Sequence, residues 1–414
     1  MPSRVFTEGI GHTNETVSAT VDSSGNLVMA KDIKLPAAGG IKDSSGNNLL
    51  TEAGSAVTLS DKVIPANSFM FRNKIINGNF DFWQRGTSQT SSGYGSTDRW
   101  GLGHATSSKT ASQQSFANGQ TDVPNNPKYY LRHVITSSSG GYVYAGQPIE
   151  GVETLSGKTV TLSFYAKADS NKNIATEFQQ YFGSGGSPSS QITGIGVTTH
   201  NLTTSWQKFT VTTTIPSISG KTIGTNSNDY LALNFWFEAG SSFNSRTNSL
   251  GNQSGTFDIA QVQLEEGTVA TPFEHRPIGM ELSLCQRYYQ KSYDLSEKPG
   301  GATQYPTHGT HLGTYQGSEY VYSIFNSTYN QRLSTNIPIK TRMRSASGQT
   351  LKIYNPYYGD LNKVMQAGGG ASYAVTIINY SEISPSFYAT VTGNSAGNTV
   401  GDIYRYHWVV ENEL

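Results

Sequence analysis

Hydrophobic and polar residues alternate along two segments in the middle of the chain. In segment 160–167, one face is apolar and consists of Val160, Leu162 and Phe164. The other face is polar and consists of Thr161, Ser163, Tyr165 and Lys167. In segment 230–238, the apolar face consists of Leu231, Leu233, Phe235 and Phe237. The opposite face carries Asn234, Trp236 and Glu238. A period of two predicts β-strands that each turn one side to a core. The other side of each strand is polar but carries large aromatic rings.

Similar segments fill most of the chain. From Asn73 to about residue 275, aromatic-rich stretches alternate with Gly-, Ser- and Asn-rich loops. This predicts one large all-β domain, a two-sheet sandwich of jelly-roll type at 73–277. Pro272 and Pro277 interrupt regular strand pairing and mark its end. Beyond them we expect a short helical turn and a strand, and then a second β domain, a β-sandwich tip, over 278–414.

The N-terminal region contains a repeat. The five residues DSSGN occur at 22–26 and again at 43–47, each between apolar residues. Their glycines suit the tight turn of a β-hairpin, so two small hairpins are predicted. Hairpins of this size bury too little surface to be stable as a monomer. Residues 1–72 are therefore predicted to be ordered by self-association, most simply as a shaft wound from several identical chains.

Composition narrows the choice of partners. Only 14% of the 414 residues are charged, against about 25% in typical proteins, and 29 Lys and Arg balance 29 Asp and Glu. Neutral polar groups replace charge, which favours an all-β protein with tight turns. Nucleic acid and anionic membranes are not expected as partners, since the sequence has no run of basic residues. Its longest apolar stretch, 230–237, is far too short for membrane insertion.

Exposed rings beside amide or charged groups suggest a carbohydrate-binding face. Such a face needs a flat apolar surface under the sugar ring and hydrogen-bonding groups around it. The side chains that meet this requirement, provided that their two strands lie in the same sheet, are Tyr165, Lys167, Asn234, Trp236 and Glu238. The alternative is that a neighbouring subunit covers these rings, because aromatic residues are also favoured at protein interfaces.

Other aromatic residues offer further candidates. Tyr142 and Tyr144 share one face of a predicted strand, whereas Trp83 and Trp100 are expected in the core or at the edge of the sandwich. The loop "YNPYYGD" at 354–360 is a candidate for receptor contact because its rings are amphipathic and lie on a loop. Its three tyrosines are Tyr354, Tyr357 and Tyr358.

Evidence for an enzyme is weak. Glu265 and Glu266 are neighbours on a predicted strand and should point to opposite faces, so they cannot act together on one bond. Cys285 is expected to be a buried, inert thiol. His308 and His311 have no evident third metal ligand. A polysaccharide-degrading tailspike is the enzyme alternative, but the texture of a repetitive parallel β-helix is missing. We therefore expect no enzymatic activity.

Two motifs carry a resemblance to a known group of proteins. "NKIINGNFDFWQRGTS" and "TDRWG" lie within 73–101, and "AQVQLEEGTVATPFEHRPIGMELSLCQRYYQ" spans 260–290. Together they resemble the carbohydrate-binding-like β-sandwich and tip module of bacteriophage tail fibres and related virion proteins, including those of cyanophages. The resemblance covers both ends of the sandwich and the start of the last domain. The end of the chain, "YRYHWVVENEL", also resembles the termini of such fibres.

The resemblance implies a non-enzymatic homotrimeric fibre located in the virion. Its N-terminal region would attach to other tail or collar proteins, and its C-terminal domains would bind a host-surface glycan or receptor during adsorption. The alternative is a structural head-fibre, collar or decoration protein that binds no receptor. Both are virion proteins, and the sequence does not choose between a position on the tail and one on the head.

A structural calcium ion is a further expectation from resemblance. Some jelly-roll carbohydrate-binding modules with a motif like "NGNFD" hold Ca²⁺ between the first loop and an acidic residue near the last strand. Here the oxygen ligands would be Asn77, Asp81 and Asp258. The doubled aspartate that is usual near the last strand is replaced by "FDIAQVQ" at 257–263. Turn capping by Asn and Asp is the alternative, and no other cofactor is expected.

Overall fold

The structure is a computed structural model of the 414-residue chain. It describes residues 71–138, 140–300, 340–344, 350–356, 358–366 and 403–414, together with the strands at 19–21, 27–29, 40–42, 48–53, 56–59, 319–322, 331–336, 372–380 and 386–392. The chain divides into two units, Met1–Ser68 and Phe69–Leu414.

The described part of the first unit consists of five short strands. They are β1 (Ala19–Val21), β2 (Leu27–Met29), β3 (Gly40–Lys42), β4 (Asn48–Ala53) and β5 (Ala56–Leu59). β1 pairs with β2 and β3 pairs with β4, both antiparallel, on either side of the two DSSGN repeats. The two predicted hairpins are therefore confirmed. β5 pairs with β4 and was not predicted, and the trimeric shaft stays a prediction.

A two-sheet β-sandwich opens the second unit. Its strands are β6 (Ser88–Gln89), β7 (Gly101–Ala105), β8 (Ser108–Ser115), β9 (Tyr129–Ser137), β10 (Tyr142–Glu150), β11 (Thr159–Ala168), β12 (Lys172–Tyr181), β13 (Ile192–Leu202), β14 (Gln207–Thr214), β15 (Tyr230–Ala239) and β16 (Gly255–Glu266). One sheet has the order β13-β12-β15-β10-β7 and the other β14-β11-β16-β9-β8-β6. The predicted all-β sandwich is confirmed.

The core lies between the two sheets and follows the predicted alternation. Phe164 of β11 meets Phe235 of β15 edge to face, with ring centroids 4.9 Å apart. The apolar faces of both strands are buried at Val160, Leu162, Phe164, Leu231, Leu233, Phe235 and Phe237. Each such side chain contributes about 1.5–3 kcal/mol on burial. Trp83 and Trp100 are also buried, as expected, and Trp100 packs between Phe80 and Phe235.

Short helical segments accompany the strands. A 3-10 turn (Ser241–Phe243) and a single helical turn, α1 (Asn244–Thr247), lie directly after β15. A longer helix, α2 (Ile278–Gln286), starts after Pro277, whose carbonyl oxygen accepts hydrogen bonds from the backbone N–H groups of Met280 and Glu281. The strand β17 (Tyr289–Lys291) follows it. The predicted helical turn and strand are confirmed, and no described helix is long and apolar enough to span a membrane.

One strand organises the last part of the chain. The remaining strands are β18 (Glu319–Tyr322), β19 (Gln331–Asn336), β20 (Thr350–Tyr354), β21 (Lys363–Gln366), β22 (Ser372–Tyr380), β23 (Ser386–Thr392) and β24 (Ile403–Glu411). β17, β18, β20 and β21 all pair with β24 in an eight-stranded sheet. The predicted β content of this region is confirmed, whereas the domain boundary at 277/278 stays a prediction.

Candidate functional site

A groove of about 310 Å³ lies on the outer face of the five-stranded sheet. It crosses β7, β10 and β15 and is bounded by the segment 92–94. A volume of this size lies within the range of small-molecule sites, about 300–1,000 Å³. Its lining consists of Ser92, Gly93, Tyr94, Gly101, Leu102, Gly103, His104, Tyr142, Tyr144, Gly146, Gln147, Pro148, Gln179, Tyr230, Ala232, Asn234 and Leu414.

Glycines form the floor of the groove. Gly103 lies opposite Tyr144 in the register of β7 and β10, and a Cβ atom at Gly103 would overlap the Tyr144 ring. A Cβ atom at Gly146 would likewise overlap the Oδ1 atom of Asn234. The groove therefore exists because these positions lack side chains, which lets a ring and an amide lie directly on the backbone.

Tyrosine rings form the walls. Tyr142 and Tyr144 alternate along β10, point to the same face, and stack with centroids 5.8 Å apart and planes 20° apart. Tyr230 of β15 packs on Tyr181 at 4.9 Å. Burial raises the pKa of the Tyr144 and Tyr230 hydroxyls. Both rings therefore remain neutral hydrogen-bond donors at physiological pH.

A buried carboxylate holds the floor in place. Glu177 of β12 is fully buried and lies opposite Asn234 in the register of β12 and β15. Its carboxylate accepts hydrogen bonds from Trp236 Nε1 at 3.0 Å, Asn234 Nδ2 at 3.3 Å and Arg246 Nε at 2.9 Å. Because Nδ2 of Asn234 is engaged, Oδ1 lies over Gly146 and presents an acceptor to the groove.

The groove offers neutral chemistry. Among the described residues that line it there is no Lys, Arg, Asp or Glu. The groups available to a ligand are ring faces, hydroxyls, amides, backbone atoms and the imidazole of His104, whose pKa is lowered by burial. Ring faces pack against the C–H face of a sugar, and hydroxyls and amides hydrogen-bond to its hydroxyls. The lining has neither a cation for a phosphate nor a carboxylate pair for hydrolysis.

The predicted five-residue sugar face is wrong, because its members belong to different sheets. Tyr165 and Lys167 lie on β11 of the six-stranded sheet, whereas Asn234, Trp236 and Glu238 lie on β15 of the five-stranded sheet. β11 and β15 pack against each other through the core, so their outer faces point away from each other. Of the five residues, only Asn234 lines the groove.

The expectation that Trp236 and Glu238 are exposed is also wrong. Trp236 is 1% exposed because Phe243, in the turn after β15, covers it at a centroid distance of 5.3 Å. Glu238 is fully buried and accepts hydrogen bonds from the hydroxyls of Ser107 at 2.5 Å and Ser138 at 2.6 Å. Trp236 therefore supports the groove from below, and its ring lies 5.0 Å from that of Tyr144.

Tyr165 and Lys167 belong to an aromatic cluster on the opposite sheet. Tyr165 packs against a small group that includes Tyr130 and the half-buried Trp206. Lys167 Nζ lies 5.2 Å from the Trp206 ring centroid and 3.9 Å from the carboxylate of Asp258. These rings mainly pack against each other, so the cluster is a small second core on the outer face of the sheet.

Two of the three predicted calcium ligands are engaged in other contacts, and calcium binding itself stays a prediction. The side chain of Asn77 is occupied within its own loop, where Nδ2 donates to the carbonyl oxygen of Phe82 and Oδ1 accepts from its N–H. Asp258 is held by Arg132 through two hydrogen bonds of 2.7 and 2.8 Å. Asp81 borders a cavity of about 30 Å³. No three His, Cys, Asp or Glu side chains of the described residues are grouped to hold a metal.

Part of the predicted receptor loop is described. Tyr354 is half-buried and packs against Tyr293 with ring centroids 6.1 Å apart, whereas Tyr358 is 55% exposed. Tyr357, like His308 and His311, lies outside the described residues. Receptor contact by this loop stays a prediction.

Two expectations about isolated residues are confirmed. Glu265 is buried and accepts hydrogen bonds from Thr271, whereas Glu266 is exposed and pairs with Lys158 at 2.9 Å. The two carboxylates diverge, as the strand period required. Cys285 is buried on α2, and burial raises the pKa of its thiol well above the ordinary value.

Sequence reasoning missed several groove residues. The lining residues Tyr94 and Tyr230 and the supporting carboxylate of Glu177 lie on three segments that are far apart in the chain. The sequence contained one usable signal, the "GLG" of 101–103, which reads as a strand with one face free of side chains. This motif indicates a groove only because Gly103 pairs with Tyr144, and that pairing is not visible in the sequence.

Comparison with known proteins gives structural matches only. No protein-family model matches the chain, and no curated protein sequence matches it. Among solved structures, the chain is similar to one titled "CBM4 structure and function", with 21% identity, a TM-score of 0.27 and coverage of 46% of this chain and 98% of that one.

Two further solved structures show comparable similarity. The xylan-binding CBM22-2 domain from Paenibacillus barcinonensis has 17% identity and a TM-score of 0.27, over 41% of this chain and 92% of that one. The enzymatically active domain of tailspike protein 4 of Bacteriophage CBA120 has 12% identity and a TM-score of 0.31, over 49% of this chain and 24% of that one. At these scores, the function must be argued from the residues of the chain itself.

Proposed function

We propose that this protein binds a neutral carbohydrate in the groove of the five-stranded sheet. The observation that carries the proposal is the composition of the groove: four tyrosines and an amide acceptor around a glycine floor, with no charged side chain among its described lining residues. Such a lining matches a ligand with apolar C–H faces and many hydroxyls. An anionic ligand would find no Lys or Arg among the described lining residues, and a purely apolar ligand would leave Oδ1 of Asn234 without a hydrogen-bond donor.

We further propose that the protein is a non-enzymatic virion fibre that binds a host-surface glycan. The sequence resemblance at 73–101 and 260–290 supports the virion role, and the small N-terminal hairpins support association of several copies. The absence of Asp and Glu from the described groove lining supports binding without hydrolysis. Several copies in one fibre would raise a weak affinity per site through avidity.

The proposal is tested with a printed array of neutral and acidic glycans. We expect the intact protein to bind neutral glycans. The double variant Tyr142→Ala/Tyr144→Ala should lose about 5- to 160-fold in affinity, since each stacked ring contributes about 0.5–1.5 kcal/mol. The matched control is Tyr165→Ala, which removes a half-buried tyrosine from the opposite sheet. Equal losses in both variants, or binding restricted to acidic glycans, would contradict the groove as the site.

Light scattering tests the fibre role separately. A particle of about three times the chain mass of 44.8 kDa is expected for a homotrimer. A stable monomer that binds glycans would leave the carbohydrate site intact but remove the fibre. A trimer that binds no glycan on the array would favour the structural head-fibre or collar alternative.

A further inference from the structure

One wall of the groove comes from outside the sandwich. Leu414 follows β24, the organising strand of the eight-stranded sheet, and it lines the groove together with residues of β7 and β10. The hydroxyl of Tyr94 donates a hydrogen bond to the main-chain oxygen of Leu414 at 3.4 Å. The groove is therefore assembled from two sheet systems, and the segment Glu411–Leu414 is where they meet.

Glu413 fixes this segment between two buried arginines. Its Oε1 atom lies 2.9 Å from Arg85 Nη2, and its Oε2 atom pairs with Arg99 Nη1. The side chains of Glu413, Arg85 and Arg99 are only 9%, 5% and 1% exposed. Water therefore screens these ion pairs poorly, and neither arginine can easily find another partner in solvent.

Both arginines also contact the groove wall. Arg99 Nη2 donates to the carbonyl oxygen of Pro148, a lining residue on β10, at 2.7 Å. The guanidinium of Arg85 lies 5.6 Å from the ring centroid of Tyr94. Glu413 is thus connected through one arginine to each side of the same end of the groove.

Glu413 is the one carboxylate paired with Arg99 among the described residues, whereas Arg85 has two more distant partners. Asp98 is 3.7 Å from Arg85 and Glu411 is 4.0 Å away, so both are more distant than Glu413. Burial lowers the pKa of Arg85, but the carboxylates of Glu413 and Asp98 outweigh burial and raise it overall. Arg99 has no second carboxylate among the ion pairs of the described residues. Without Glu413, Arg99 would be a buried and unpaired cation.

We propose that Glu413 is a positioning residue of the groove, which orders the wall formed by Tyr94, Pro148 and Leu414 through Arg85 and Arg99. Its effect on ligand affinity rests on the proposed carbohydrate function, whereas its effect on the wall does not. Neutralising Glu413 should release the two guanidinium groups towards water, and the wall residues that they contact should move with them. The groove would then be open at one end.

Hydrogen–deuterium exchange of the full chain, without ligand, tests the ordering of the wall. In Glu413→Gln we expect amides in 92–104 and 142–150 to exchange at least about tenfold faster than in the original protein. Amides of β11 (Thr159–Ala168), on the opposite sheet, should be unchanged. The control is Glu266→Gln, which neutralises an exposed glutamate paired with Lys158 and should leave both groove segments unchanged.

Binding to the same glycan array separates the two proposals. If the original protein binds a neutral glycan, Glu413→Gln should lower its affinity about tenfold while Glu266→Gln should not. If the original protein binds none, the carbohydrate function is overturned, and exchange in 92–104 still decides the role of Glu413. Unchanged exchange in Glu413→Gln, or equally faster exchange in Thr159–Ala168, would overturn the positioning role.

Discussion

Replacement of His133 by Phe should change how stability depends on pH. His133 lies on β9, is 1% exposed, and stacks on Phe237 with ring centroids 4.3 Å apart. Neither of its ring nitrogens has a hydrogen-bond partner among the described residues. Burial lowers the pKa of His133 from 6.5 to about 3. The native protein therefore keeps this ring neutral at pH values where the unfolded chain protonates it.

The sign and size of the effect follow from proton linkage. Above pH 6.5, His133 is neutral in both the folded and the unfolded state and costs no stability. Between pH 6.5 and about 3, only the unfolded chain protonates His133, so the free energy of unfolding falls as the pH decreases. At about 1.4 kcal/mol per pH unit, the loss relative to pH 7 is about 2 kcal/mol at pH 5 and about 3 kcal/mol at pH 4. His133→Phe keeps the stacked ring and removes this loss. At pH 7 the variant should match the original protein within about 1 kcal/mol.

Urea unfolding followed by tryptophan fluorescence at pH 4, 5, 6 and 7 measures the difference. The free energies of unfolding of the original protein and of His133→Phe should diverge steadily below pH 6.5. Phe178→Leu is the control, since it removes packing from the same core without a titrating group and should shift the curve equally at each pH. Parallel curves for the original protein and His133→Phe would mean that His133 takes up its proton equally in the folded and unfolded states.

Three further predictions concern other buried groups. Glu177→Gln should lower the free energy of unfolding by about 3 kcal/mol, because it leaves the partly buried guanidinium of Arg246 unpaired. Glu266→Gln, which removes an exposed ion pair, should lower it by less than about 1 kcal/mol in the same urea titration. Cys285 should resist a thiol reagent in the native protein and react fully in urea, since burial raises its pKa; rapid native labelling would contradict its burial. Burial lowers the pKa of Lys291 to about 8. Between pH 8 and 10.5 the original protein should therefore gain stability, because only the unfolded chain keeps the proton, and Lys291→Met should show no such gain. Equal gains in both proteins would argue against a neutral Lys291 in the folded state.

The period of two along single strands was sufficient to predict the sandwich core. Leu162 and Phe235 are buried because their strands alternate cleanly, and alternation is a local property that needs no knowledge of the partner strand. The divergence of Glu265 and Glu266 followed from the same period. The hairpins around the DSSGN repeats were also predictable, since a tight turn joins strands that are neighbours in sequence.

The candidate site was not predictable in this way, because it depends on which strands are neighbours. Asn234 and Tyr165 share a polar-face pattern, yet topology places them on opposite sides of the molecule. Trp236 is on the predicted face, but the turn after β15 folds back over it. The groove itself is a property of three strands in register, in which Gly103 makes room for Tyr144. None of these relations is encoded in a single segment.

The position of β24 at the middle of its sheet has a consequence for the order of folding during synthesis. β17, formed soon after α2, pairs with the far end of β24 at Tyr289 and Glu411, and β18, β20 and β21 wait for the same strand. Pairings between distant segments form slowly, and an unpaired strand edge is open to wrong partners. A growing chain can complete its sandwich while β17 remains unpaired, and the exposed edge of β17 persists until residues 403–411 pair with it.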